Sequence, residues 1–160
     1  MPTKTNDVRP KVLAIAYELL HNKNHCYYTM GPNRWNWHHS TIPTFPFYSD
    51  CSGTVTAINY WAHNKNDPNG VGYAYGDTET ILSHGETNRL ILPKVKALHC
   101  DLVLFGRGPK PDHVAMLLQN GTNRDPLCFS MGRQGDPSTV RLSVLMGLGI
   151  PTFVRNVTRQ

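Results

Sequence analysis

Long apolar runs are what this chain of 160 residues most plainly lacks. No stretch approaches the roughly 18 residues needed to span a bilayer. The opening segment, MPTKTNDVRPK, has no apolar core of the kind a secretory signal carries. A soluble protein made in the cytosol is therefore expected, with no membrane insertion. Cysteine is scarce as well: Cys26, Cys51, Cys100 and Cys128 are all there are, and none stands in a CxxC pair. That excludes a zinc knuckle and a disulfide framework and leaves four free thiols. Imidazoles in HNKNHC and WHHS lack the paired spacings of structural zinc sites, so no metal and no cofactor is expected. Dense charge is missing too. The basic residues fall in short pieces (RPK, NRW, PKVK, GRGPK) without a long run or an aromatic RNA-binding signature, which argues against nucleic acid. The net charge of +5 still favours polyanions, an acidic cell-wall polymer among them.

What is present suits one domain over 1–160, rich in turns, with 13 Gly and 12 Pro predicting long and numerous loops. In residues 7–20, Val8, Val12, Ala16 and Leu19 share one face, and Pro10 falls in the first turn, which predicts an opening amphipathic helix. Residues 21–49, rich in Pro, Asn and aromatics, show neither helical nor strand period and read as a long functional loop. Trp35, Trp37, Phe45 and Phe47 in it would either pack that loop or stack on a sugar or peptide. A second helix is predicted from Cys51, with Val55, Ile58, Trp61 and Ala62 at helical spacing. The turn-rich NDPNGVGYAYG reads as a substrate-lining loop, and DTETILSHG as a short helix capped by Thr78 and stopped at Gly85. From Arg89 onward, RLILP, DLVLFG, HVAMLLQNG, LCFSMG, TVRLSV and PTFVRNV read as strands. Helices over about 1–88 and an antiparallel sheet over about 89–160 make an α+β class.

The stretch YSDCSG places Cys51 in a first helical turn, with Asp50 as the cap. There the unpaired N–H groups and the macrodipole favour a thiolate, which predicts a lowered thiol pKa. The alternative is a small buried packing residue. A cysteine nucleophile needs a base that takes its proton and later returns one. His113 is the histidine that leads an apolar strand, though it also reads as a surface residue at a loop exit. The backbone N–H of Cys51 is a candidate oxyanion donor.

The ordered boxes YYTMGPNRW, YSDCSG, CDLVLFG and DHVAMLLQNG, with the glycine-rich insert between them, resemble the NlpC-type papain-like cysteine peptidases that cleave bacterial peptidoglycan peptides. They resemble in particular the versions found in bacteriophage endolysins. The resemblance covers most of residues 25–135. It implies a papain-like NlpC fold with Cys51 as nucleophile, His113 as base and acid, and Tyr28 lining the site or helping to hold the oxyanion. It also implies a peptidoglycan peptide as partner, a monomer, and a protein held in the host cytoplasm until the membrane is permeabilised, then acting at the cell wall. Two departures stand out. Cys100 takes the place of a glycine before the DLVLF strand. Met131 falls where a polar third residue should orient the base, and a thioether is a weak acceptor. Ser130 and Gln134 are the nearest substitutes; a Cys and His dyad or impaired catalysis are the other outcomes. Alternatives to the peptidase are a wall-binding module that has lost its chemistry, and an amidase or acyltransferase of the same superfamily.

Overall fold

The computed structural model describes residues 7–63, 76–106, 110–132 and 136–156. The first helix, α1 (Arg9–His21), buries Val12, Ile15, Ala16 and Leu19, the apolar stripe visible in the sequence. Pro10 is tolerated because first-turn amides have no intrahelical partner to lose.

The segment expected as a loop is more ordered than its composition suggests. It holds a 3₁₀ turn at Lys23–His25, strand β1 (Cys26–Tyr28), a 3₁₀ stretch at Pro32–His39 and strand β2 (Phe47–Ser49). The two strands pair in parallel, with Tyr28 opposite Ser49. Three-residue strands are too short to show a period of two, which is why the sequence did not announce them. The aromatic residues here pack: Trp37 and Phe47 are buried, with ring centroids 6.0 and 5.8 Å from Trp61. Trp61 Nε1 donates to the Ser40 carbonyl and the Tyr60 hydroxyl to that of His38, which ties the segment to the next helix.

That helix, α2 (Cys51–Ala62), is buried along its whole length apart from Tyr60. Helix α3 (Thr78–Thr87) departs from expectation at both ends. Its cap is Asp77, which accepts from the Thr80 amide, and it runs through Gly85, whose bare Cα lies against Val154 and Ile91.

The main sheet contains β3 (Ile91–Leu92), β4 (Leu102–Phe105), β5 (His113–Leu117), β6 (Leu127–Met131), β7 (Pro137–Arg141) and β8 (Thr152–Val154). Its order is β3-β8-β4-β5-β6-β7, and every neighbouring pair is antiparallel. Alternate residues serve two cores. Leu102, Leu104, Val114, Met116, Phe129 and Met131 pack with α1 and α2. Val103, Phe105, Ala115, Leu117 and Cys128 face the other way, against Leu142, Leu145 and Phe153. With both faces covered, the central strands read as unbroken apolar runs. The run TVRLSV is only half strand: after Arg141 the chain turns into α4 (Leu142–Leu145), because the distant Asp125 accepts from both the amide and the hydroxyl of Ser143. Helix therefore continues beyond the boundary near residue 88, and a small sheet lies before it.

The protein is thus a mixed helix and sheet structure of the α+β class. All four cysteines are free and buried. Cys100, which the sequence suggests affects only a turn, has φ 74°, the left-handed region that favours glycine, and its side chain also fills core space, with Sγ 3.5 Å from the Arg9 carbonyl. Among the described residues no helix is long and apolar enough to cross a membrane.

Candidate active site

Extended backbone at Ser49 and Asp50 delivers Cys51 to the first turn of α2. Asp50 caps the helix as its residue type predicts: Oδ1 accepts from the Gly53 amide at 2.8 Å and its carbonyl accepts from the Thr54 amide at 3.0 Å. Gly53 is needed for lack of space. A Cβ there would lie 2.2 Å from Ser49 Oγ and 2.9 Å from Asp50 Oδ1, so the side chains that shape the turn leave no room for one.

The first turn of α2 meets the start of β5 at Val114. The backbone N–H of Val114 reaches the Cys51 thiol, joined by the N–H groups of Ser52 and of Cys51 itself. His113 is the neighbour of Val114 in the chain, at the first position of β5, its ring stacked at 6.2 Å on Phe105 of β4. The approach to His113 is shaped by Gly106, whose φ of 150° is open to glycine alone and whose missing Cβ would sit 2.7 Å from the Asp112 amide. Thr78, expected as a helix cap, instead donates its hydroxyl to the Pro111 carbonyl at 2.6 Å and so ties α3 to the same approach.

Strand parity decides the third residue. On β6, Met131 turns into the helix-facing core and is 1% exposed, whereas Ser130 points to the opposite face and places Oγ 2.9 Å from His113 Nε2. Met131 is therefore not the partner of His113; the serine beside it is. Gln134 lies outside the described residues. With Nε2 engaged by Ser130, Nδ1 is the other ring nitrogen at which a neutral imidazole can take up a proton. Thiol and imidazole do not hydrogen-bond to each other among the described residues.

The electrostatics differ from the expectation of a lowered thiol pKa. Burial pushes the Cys51 thiol up; the Val114 N–H opposes this, the Asp50 carboxylate adds to it, and burial prevails. Burial likewise pushes His113 down, to about 4. Burial thus favours the neutral form of each group, the thiol at Cys51 and the imidazole at His113.

Tyr28 stands opposite Ser49 in the β1 and β2 register, two residues from Cys51 and half-buried against the core. Arg34, which sequence reasoning missed, donates from its guanidinium to Asp50 Oδ2 at 2.7 Å, while its carbonyl accepts from Ser49 Oγ at 2.9 Å. The only hint in the sequence was its place in the NRW box, where it read as scattered charge. The glycine-rich stretch expected to line a substrate lies almost wholly at residues 64–75, outside those described. Among the described residues no group of three His, Cys, Asp or Glu converges as metal ligands would, and Cys26 turns its sulfur to the Leu19 and Asn22 carbonyls. The chain matches no model of a known protein family, and it matches no curated protein.

Proposed function

We propose that the protein is a papain-like cysteine peptidase of the NlpC type that hydrolyses a peptide amide in bacterial peptidoglycan, as the lytic module of a phage endolysin. The observation that carries this reading is the meeting of α2 with β5, which brings the Cys51 thiol to the Val114 N–H beside a histidine whose Nε2 is engaged by Ser130. In the proposed reaction His113 Nδ1 accepts the thiol proton as Cys51 Sγ bonds to the carbonyl carbon. The imidazolium then returns that proton to the departing amine. Water, deprotonated by His113, breaks the acyl thioester and restores the thiol. Because burial favours the neutral form of each group, the proton moves in step with attack rather than beforehand. The N–H groups around the sulfur are candidates to hold the oxyanion, with Tyr28 at the rim.

This proposal takes the enzyme as a monomer without a cofactor, waiting in the host cytoplasm until the membrane is permeabilised and then acting on the wall, whose acidic polymers suit the net charge of +5. Nucleic acid has no part in it. The amidase or acyltransferase alternative keeps the same thiol chemistry. The rival with an observation behind it is a wall-binding module without catalysis, favoured by the burial that disfavours a thiolate at Cys51. Digestion of purified actinobacterial peptidoglycan with the wild type and with Cys51→Ala, the soluble fragments identified by mass spectrometry, decides between them. Fragments released by the wild type alone are expected. Retention of the protein on sacculi with no fragments from either would give the site to the rival, and equal release by both would remove Cys51 from the chemistry.

A further inference from the structure

We propose that Arg34 is a positioning residue for Cys51: by pairing with the carboxylate of Asp50 it keeps the charge of the helix cap from opposing thiolate formation, and it leaves the cap intact. The arrangement is a conflict resolved by geometry. Asp50 is 4% exposed and adjoins Cys51 in the chain. Both of its oxygens are committed, Oδ1 to the Gly53 amide and, at 3.3 Å, the Ser52 hydroxyl, and Oδ2 to the Arg34 guanidinium at 2.7 Å. An aspartate is a strong helix cap, yet a carboxylate beside a nucleophilic thiol works against the thiolate, as Asp50 does here. A guanidinium on the oxygen not used for capping reduces that repulsion without weakening the cap.

Arg34 is held for this task. Its carbonyl accepts from Ser49 Oγ, and its guanidinium carbon lies 4.9 Å from the centre of the Trp35 ring. Its charge also reaches Asp77, the cap of α3, whose carboxyl it helps hold below the usual range after the Thr80 amide. Among the described residues, the ionisable groups on the segments that lead into this end of α2 and into β5 include Asp50 at the cap, Arg34 on the 3₁₀ stretch, Tyr28 on β1, Asp77 at the cap of α3, and Asp112 with His113 at β5. Of these, Arg34 alone is a permanent cation.

The test titrates Cys51 directly, through the ultraviolet absorbance of its thiolate, as the difference between each protein and its Cys51→Ala counterpart. Arg34→Gln is expected to raise the midpoint by about one pH unit. Adding Asp50→Asn, which keeps a capping side chain, is expected to bring the midpoint back to the wild-type value or below. A merely structural Arg34 predicts no such recovery, so equal midpoints for the single and double variants would overturn the proposal. Should Arg34→Gln fail to fold, Asp50→Asn in the wild-type background serves instead. Its midpoint is expected to fall, and an unchanged one would overturn the proposal equally. The consequence for turnover, about a tenfold slower reaction of Arg34→Gln at neutral pH, rests on the peptidase reading. A wild type that releases no fragments would remove that reading and leave the titration result standing.

Discussion

A single hydroxyl holds the His113 ring and, in the proposed reaction, orients the base. Ser130 Oγ is the hydrogen-bond partner of His113 Nε2, and serine either donates or accepts. Only when it accepts from Nε2–H is Nδ1 bare and ready for the thiol proton, so a serine fixes the tautomer less firmly than a carboxamide oxygen. Ser130→Ala is expected to lower the rate of peptidoglycan digestion about tenfold or somewhat more, the equivalent of losing one hydrogen bond of about 1–2 kcal/mol. Ser130→Asn should retain more activity than the alanine variant if the amide reaches the ring. Digestion rates at saturating substrate measure both; full activity in Ser130→Ala would show that the ring is held by something else. This residue was among those the sequence offered, but its choice over Met131 was not legible there. Adjacent strand residues point to opposite faces, so one step in register exchanges a core thioether for the hydroxyl that meets His113.

At the scale of elements, the site depends on how α3 and the β4 to β5 connection are tied to α2. Thr78 Oγ1 donates to the Pro111 carbonyl two residues before His113, so the start of α3 is tied to the strand end that carries His113. Thr78→Val keeps the shape and removes the bond. We expect stability to fall by about 1 kcal/mol and turnover to fall further than that loss alone requires, because the His113 ring is less well placed. Urea unfolding beside kcat measurements tests this, and a variant with reduced stability but wild-type kcat would confine Thr78 to structure. The elements themselves were unevenly legible. Helix α1 and the helix from Cys51 were visible because burial of a stripe imposes a period on the sequence. Strands β1 and β2 were hidden by their length. Helix α4 was hidden because its stabilising carboxylate, Asp125, lies in a different connection.

For the molecule as a whole, burial keeps several histidines neutral. His63 and His84 are lowered, and His113 is lowered to about 4, each chiefly by burial. In the unfolded chain these groups take up protons near pH 6.5. As pH falls from there toward about 4 the unfolded state therefore binds more protons than the folded one, and stability present above about 6.5 is progressively lost. The lowered carboxyls of Asp7 and Asp77 act in the same sense at still lower pH, while Asp101, raised by burial, acts against it. Urea unfolding at about pH 7 and about pH 4.5 should differ by on the order of 2–3 kcal/mol, the acidic sample being the weaker. A constant midpoint would mean that the histidines are solvated in the folded protein.

The sequence by itself determined the α+β order, the helix that begins at Cys51, its aspartate cap, the core stripes and the two residues proposed for the chemistry, because each is written in local spacing and residue type. Only the tertiary structure decided that Ser130 and not Met131 meets His113, that Arg34 pairs with the cap, and that burial disfavours the charged forms of both Cys51 and His113. These depend on which strand face a side chain occupies, on contacts across 16 and 17 positions of sequence, and on how completely water is excluded, and none of the three is a property of neighbouring residues.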